Sequence, residues 1–215
     1  MSKFVILLGG PLAVGSRLLG QVAGGRAIAA DGGIRHAGAL GLAPEIWVGD
    51  FDSSDESLAA RHAAVPRLEY PAEKNLTDGE LALQIALERG ATDIVMAGAL
   101  GGERADHAWG HVVQALALAL EGRRVLLTSG AEEGYPLLPG RPLALDLPKA
   151  SMFSVLGLDR LEGLTITNAR YPLEDFHLPF GSSRTISNVA EGEVRFVLGA
   201  GRALVLARPH DFSGV

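Results

Sequence analysis

Apolar positions follow two rhythms along the chain. In the first part, short unbroken apolar runs alternate with segments of helical period. The runs are KFVILLGG (3–10), RAIAADGG (26–33), PEIWVGD (44–50), TDIVMAGAL (92–100) and RRVLLTS (123–129). Helical patterns fall between them, at roughly 34–40, 55–64, 78–89 and 105–121, with Gly90 and Gly122 where C-terminal caps belong. Strands buried on both faces read as continuous apolar runs. The pattern therefore predicts βαβ units and a mostly parallel sheet.

Beyond residue 130 the rhythm changes. SGAEEGYPLLPGRP (129–142) is rich in Gly, Pro and Glu and reads as a linker. Short strand-like runs follow: LALDLP, MFSVLGL, LTITNA, EVRFVLG and RALVLAR. No long helical pattern interrupts them. EVRFVLGAGRALVLA suggests a hairpin turning on Gly199-Ala200-Gly201. Several short strands with frequent Gly and Pro predict a small all-β sandwich. The expected organisation is an α/β domain over 1–130 and a β-sandwich domain over 131–215.

Composition narrows the chemistry. The 215 residues are 47% hydrophobic, enough for a sizeable core, and the net charge of −6 argues against a nucleic-acid binder. There is no cysteine, so disulfides, thiolate zinc sites and cysteine nucleophiles are excluded, and any metal must take oxygen or imidazole ligands. The opening MSKFVILLGGPLAVGSRLLG lacks the order of a signal peptide, and no run of eighteen apolar residues occurs. A soluble cytoplasmic protein without membrane partners is expected.

In open α/β sheets, ligands bind beyond the carboxyl ends of the strands. This chain collects acids there. Asp31 follows AIAA, Asp50 and Asp52 follow EIWVG, Asp78 opens the helix after EKNLTDGE, and Asp106 and His107 follow IVMAGALGG. Each has a plain structural reading, since acids and hydroxyls are favoured at helix N-termini. Thr77 with Glu80 fits a capping box, and Asp50 with Asp52 could be a cap and a solvated loop. Taken together the acids are better explained by a cation, because carboxylates gathered on one edge repel unless one binds among them. Oxygen ligands without thiolate select Mg²⁺, Mn²⁺ or Ca²⁺, and Mg²⁺ characteristically shares its shell with substrate phosphates. Glycine pairs at Gly9-Gly10, Gly32-Gly33 and Gly101-Gly102 would admit a bulky ligand, and Lys74 or Arg104 could meet phosphate oxygens. The first half thus reads as a Mg-nucleotide site, although it carries neither GxxxxGK[ST] nor GxGxxG. His36 and His107 are read as hydrogen-bonded structural histidines, Trp109 as a core residue, and Ser182-Ser183 as a turn.

The same residues carry a family likeness. AADGGIRHAGALGLAPEIWVGDFDS, PAEKNLTDGELAL and GALGGERADH resemble, in order, the signature of the thiamine pyrophosphokinase family, and GLTITNARYPLEDFHLPFGSSRTISN resembles its later motifs. The likeness covers nearly the whole chain. The chain departs from the family pattern at Asn75, where Asp is usual, at the extra residue in GGERADH, at His111 in place of Asn, and at Val189 after the Ser-Asn pair.

The resemblance implies transfer of pyrophosphate from ATP to the hydroxyethyl oxygen of thiamine, giving thiamine diphosphate and AMP. It implies an N-terminal Rossmann-like ATP-binding catalytic domain, a C-terminal β-sandwich that binds thiamine and dimerises, and a homodimer with the active site between subunits. By position, Asp50, Asp52 and Asp78 would form the Mg²⁺–phosphate centre. Asp31, Gly32, Lys74, Thr77, Arg104, Asp106 and His107 would belong to the nucleotide side, and Ser187 and Asn188 to the thiamine side. Two rivals stand beside it: a non-catalytic thiamine or nucleotide binder on this scaffold, and a DxD-type metal-dependent nucleotide-sugar transferase.

Overall fold

The computed structural model describes residues 2–51, 56–70 and 75–214. The contacts within the chain separate two compact units, Met1–His111 with Gly122–Gly130 and Val112–Glu121 with Ala131–Val215.

The first unit is built on six parallel strands. They are β1 (Lys3–Leu7), β2 (Arg26–Ala30), β3 (Pro44–Gly49), β4 (Arg67–Glu69), β5 (Asp93–Ala97) and β6 (Arg124–Thr128), in the spatial order β6-β5-β1-β2-β3-β4. The five apolar runs become strands at the expected places; β1 and β5 stop short of their glycines, and β2 and β3 stop short of Asp31 and Asp50, which turn away into loops. Continuous burial of Phe4, Val5, Ile6 and Leu7 shows that β1 is covered on both faces. On one face Val5, Leu7, Ala29, Trp47, Val95 and Ala97 pack with Leu18 and Val22 of helix α1 (Ser16–Val22) and Leu40 of α2 (Ala37–Leu40). Helix α4 (Asp78–Glu88) packs against β1, β2 and β3. Helix α3 spans Glu56–Arg61, and a 3₁₀ turn, Asp31–His36, links β2 to α2.

Capping sets the ends of α4. Thr77 Oγ1 accepts from the Glu80 amide at 3.2 Å, the expected hydroxyl half of the capping box. At the other end Gly90 adopts φ +81°, and the Gly90 and Ala91 amides donate to Leu87 O and Ala86 O at 2.9 Å. This left-handed closure satisfies carbonyls that the helix itself leaves open.

Helix α5 (Ala105–Leu120) corrects one expectation. Its buried residues are Val112, Ala115, Leu116, Leu118 and Ala119. Trp109 falls beside Val113, four residues on, at the flank of that stripe, and both are exposed, Trp109 by 57%. It is not a core residue of the chain. α1 and β4 lie outside the expected pattern; α1 has glycine at its N-cap with no side-chain cap bond, and β4 is only three exposed residues long.

In the second unit the strands are β7 (Glu133–Leu137), β8 (Leu143–Asp146), β9 (Met152–Gly157), β10 (Leu161–Ala169), β11 (Leu173–Leu178), β12 (Asn188–Val197) and β13 (Ala203–Arg208). Their pairings are antiparallel, in the order β11-β10-β12-β9-β13-β7, with β8 also on β12. The core joins Leu145, Phe153, Val155, Leu164, Ile166, Val194, Phe196 and Val205, and Phe153 meets Phe196 edge-on at 5.4 Å.

Two expectations fail here. The segment read as a linker contains β7, whose buried Glu133 accepts from the Tyr135 hydroxyl at 2.7 Å. Its acids and proline concealed a strand that pairs along β13. β12 and β13 also form no hairpin with each other. β13 is flanked by β7 and β9, so no edge is open to β12. The Gly199 and Ala200 amides instead donate to Glu162 O at 2.9 Å, tying the connection to β10. Among the described residues no helix is long and apolar enough to cross a membrane.

Candidate functional site

The strand order fixes where a ligand can enter the first unit. From β1 the chain steps outward through β2, β3 and β4, then returns to place β5 on the other side of β1. Connections leave β1 and β5 in opposite senses, which opens a crevice at their carboxyl ends. A cavity of about 910 Å³ lies there, lined by the loops after β1, β2, β3 and β5 and by the starts of α4 and α5. Gly9 and Gly10 follow β1. A Cβ on Gly10 would come within 2.2 Å of Gly98 O, so Gly10 serves the close approach of two protein loops rather than of a ligand. Gly9 faces open space.

Asp31, Asp50 and Asp78, drawn from three different elements, all line this cavity. Asp31 begins the 3₁₀ turn at φ +41°, in the left-handed region that non-glycine residues rarely occupy. The fully buried Trp47 holds it there, its Nε1 donating to Asp31 O at 2.8 Å. Trp47 also meets Phe51 edge-on at 4.9 Å, and Phe51 has φ +60°. The Arg67 guanidinium caps both rings, 4.7 Å from Trp47 and 5.3 Å from Phe51. One aromatic cluster therefore supports both turns, the one that carries Asp31 and the one that carries Asp50. Two left-handed residues cost about 1–3 kcal/mol each, which the packing around them must offset. Asp78 is the first residue of α4, directly after the Thr77 cap.

Of the other expected residues, Gly32, Thr77, Arg104 and His107 line the same cavity. Asp106 does not. It grips Arg104 through both oxygens, at 3.0 and 2.8 Å, and those hydrogen bonds hold its carboxyl down at about 2, well below the usual carboxylate range. Asp52 and Lys74 lie outside the described residues. Among the described residues no group of three His, Cys, Asp or Glu side chains is gathered into a metal site. The donor set still fits Mg²⁺, which takes one or two carboxylates and fills its shell with water and substrate phosphates. Asp31, Asp50 and Asp78 supply hard oxygens to one cavity, and the chain has no thiolate.

The histidines have structural bonds. His36 Nε2 is 2.9 Å from Gly10 O, and His111 Nδ1 is 3.1 Å from Ala99 O. Burial pushes both imidazoles below their ordinary pKa, against the opposing effect of those carbonyls. His107, by contrast, is exposed at the cavity rim.

The second unit has a cavity of its own, of about 410 Å³, lined by Arg170, Tyr171, Arg184, Ser187 and Asn188 with their neighbours. Asn188 is 5% exposed and makes three hydrogen bonds. Its Oδ1 accepts from the Tyr171 and Val189 amides at 3.1 and 2.8 Å, and its Nδ2 donates to Tyr171 O at 2.9 Å. It thereby fixes the backbone under Tyr171, whose ring is 61% exposed. Ser187 sits at φ +62° with its amide donating to Ser154 Oγ at 3.0 Å.

Comparison with known proteins matches residues 25–127 to the thiamin pyrophosphokinase catalytic domain and residues 144–202 to the thiamin pyrophosphokinase vitamin B1 binding domain. The thiamine pyrophosphokinase of Bacillus subtilis is 32% identical over 151 residues, 69% of this chain and 70% of that protein. This chain belongs to the thiamine pyrophosphokinase family. The crystal structure of the Bacillus subtilis thiamine pyrophosphokinase superposes with a TM-score of 0.82 at 26% identity, covering 98% of this chain and all of that one. That of the Geobacillus thermodenitrificans protein gives 0.79 at 26% identity, covering 100% of both chains. Within the range matched to the catalytic domain, the stretches ADGG, GDFDS and TD of this chain bring Asp31, Asp50 and Asp78 to the cavity.

Motif reading missed three contributors. Trp47 looked like one more apolar residue of a strand, and Tyr171 lay inside a stretch that resembles the family's motifs without being singled out. Arg35 lies in a helical pattern with no motif to mark it, yet it lines the cavity four residues after Asp31.

Proposed function

We propose that this member of the family is a thiamine diphosphokinase that transfers pyrophosphate from ATP to the hydroxyethyl oxygen of thiamine, forming thiamine diphosphate and AMP. The observation that carries this reading is the convergence of Asp31, Asp50 and Asp78 at the crevice between β1 and β5, with no P-loop in the sequence. Under this reading residues 1–130 form a Rossmann-like ATP-binding catalytic domain and residues 131–215 a β-sandwich that binds thiamine and dimerises.

Asp50, Asp52 and Asp78 would hold Mg²⁺, which when bound neutralises charge on the phosphate oxygens. Asp31, Gly32, Lys74, Thr77, Arg104 and His107 surround the nucleotide, and Asp106 orients Arg104 toward it. The thiamine hydroxyl oxygen attacks the β-phosphorus in line. A new O–P bond forms, the bond between the β-phosphorus and the bridging oxygen breaks, and that oxygen leaves with AMP. One of the carboxylates accepts the hydroxyl proton. Chemistry of this kind rests on positioning and electrostatics more than on covalent participation. Ser187 borders the thiamine, and Asn188 acts through the Tyr171 backbone. The active enzyme is a cytoplasmic homodimer with its site between subunits, a reading supported by the exposed Trp109 ring that a partner would cover.

Product analysis with thiamine, ATP and Mg²⁺ tests the reaction. AMP together with thiamine diphosphate is the expected outcome. ADP with thiamine monophosphate, or ligand binding without turnover, would refute it. Sedimentation of the wild type and of Trp109→Glu tests the dimer.

A further inference from the structure

Arg35 is exposed and lines the cavity of the first unit from the 3₁₀ turn that begins with Asp31. Its Nη2 donates to Gly9 O and, at 3.5 Å, to Gly10 O, the same carbonyl that His36 meets. These partners are neutral, so they orient the guanidinium without cancelling its charge. Arg104, the other guanidinium in the lining, is already matched by the carboxylate of Asp106. A guanidinium carries five N–H donors, and Nε and Nη1 of Arg35 take no part in the carbonyl bonds. Nη1 lies over Gly32, where a Cβ would come within 3.3 Å, so the glycine leaves room for the fork. The rest of the charged lining includes Asp31, Asp50, Asp78 and Glu103. A polyanion entering among these acids needs positive charge held in place beforehand, and a forked guanidinium matches phosphate oxygens in geometry as well as sign.

We propose that Arg35 is a binding residue for the polyphosphate of a nucleoside triphosphate, placing its Nε/Nη1 edge on phosphate oxygens while its Nη2 stays anchored on the loop after β1. This rests on the reading above that the cavity takes ATP. The alternative is a strap that only secures the Gly9-Gly10 loop.

Titration calorimetry of the full chain with ATP and Mg²⁺, thiamine omitted, separates the two. Arg35→Gln should weaken ATP binding roughly tenfold to a hundredfold, the scale of one charged hydrogen-bonding group. Arg35→Lys, which keeps the charge and loses the fork, should fall between Arg35→Gln and the wild type. In turnover assays the KM for ATP should rise while the KM for thiamine stays within about twofold, since only phosphate contacts are removed. A lower Tm with unchanged ATP affinity in Arg35→Gln would overturn the proposal in favour of the strap. Should that variant not fold, unchanged ATP affinity in Arg35→Lys overturns it equally. If the wild type makes no thiamine diphosphate but Arg35→Gln still loses ATP affinity, the functional reading falls and the role of Arg35 stands. If the wild type turns over and Arg35→Gln keeps its KM for ATP, only the role of Arg35 falls. Absence of ATP binding by the wild type removes both.

Discussion

The two cavities use polar side chains in opposite ways. In the first unit Asp31, Asp50 and Asp78 face a cavity, and the backbone that presents them is braced from behind by Trp47, Phe51 and Arg67. In the second unit the buried Asn188 turns its own amide onto the backbone and leaves Tyr171 exposed in its place. Both lie in stretches that the family models match. One kind is recognisable by what it offers a ligand, the other by what it does for a neighbour. The contrast predicts that altering the first kind costs activity before stability, whereas altering the second kind disturbs the fold locally before it disturbs the ligand.

The sharpest way to break that contrast is to neutralise an acid of the first cavity. Asp50→Asn and Asp52→Asn are expected to lower kcat roughly a thousandfold, about 4 kcal/mol of barrier, through loss of metal and phosphate charge balance. Their urea midpoints should match or exceed that of the wild type, because mutual repulsion among the acids is relieved. An early-melting variant with normal activity per folded molecule would show instead that these acids are caps and loop residues.

Asn188→Ala should behave the other way. It removes three hydrogen bonds and leaves two amides and a carbonyl near Tyr171 without that partner, a loss of about 3 kcal/mol. Denaturant unfolding should register it directly, and the KM for thiamine should rise through disorder of the 170–172 turn while the KM for ATP holds. A stable variant with raised thiamine KM would mean that Asn188 touches the ligand itself.

The first unit was legible because its strands are buried on both faces, so periodicity alone located five of six, and the strand-end rule pointed to Asp31 and Asp50, which line the cavity, but also to Asp106, which does not. β4 escaped because three exposed residues carry no apolar signal. The second unit was less legible for a physical reason. Its strands hide behind Pro136, the Glu174-Asp175 pair and irregular registers, and the partner of each strand is set by distant segments. The hairpin failed on that point: a glycine turn between two strands specifies a reversal, and β9 and β7 had already taken both edges of β13. The candidate site followed the same division. Asp31, Asp50 and Asp78 were readable from motif and strand end, whereas Trp47 and Arg35 act through contacts that exist only once β1, β2 and β3 lie side by side.

A smaller test lies at the start of α4, where both kinds of use meet. Thr77 lines the cavity, yet its hydroxyl already accepts from the Glu80 amide. Thr77→Ala should cost about 1 kcal/mol of stability, and Thr77→Ser should restore it. A change in the KM for ATP well beyond that in stability would move Thr77 from the bracing group to the presenting group.

The smallest effect should come from His36, which braces the loop after β1 by its contact with Gly10 O. Burial holds its imidazole below the ordinary value, which is about 6.5. Above that value the ring is neutral both folded and unfolded, so it contributes no pH dependence. As pH falls below about 6.5 the unfolded chain takes up the proton first, and stability declines until the folded ring protonates as well. His111, also pushed down by burial, adds to the same slope. Urea midpoints measured from pH 7.5 down to 5.5, by choice of range roughly one unit either side of the free imidazole, should fall in the wild type. They should fall less steeply in His36→Gln, which keeps a donor for Gly10 O and cannot ionise. An unchanged slope in that variant would assign the acid sensitivity to His111 and leave His36 as packing alone.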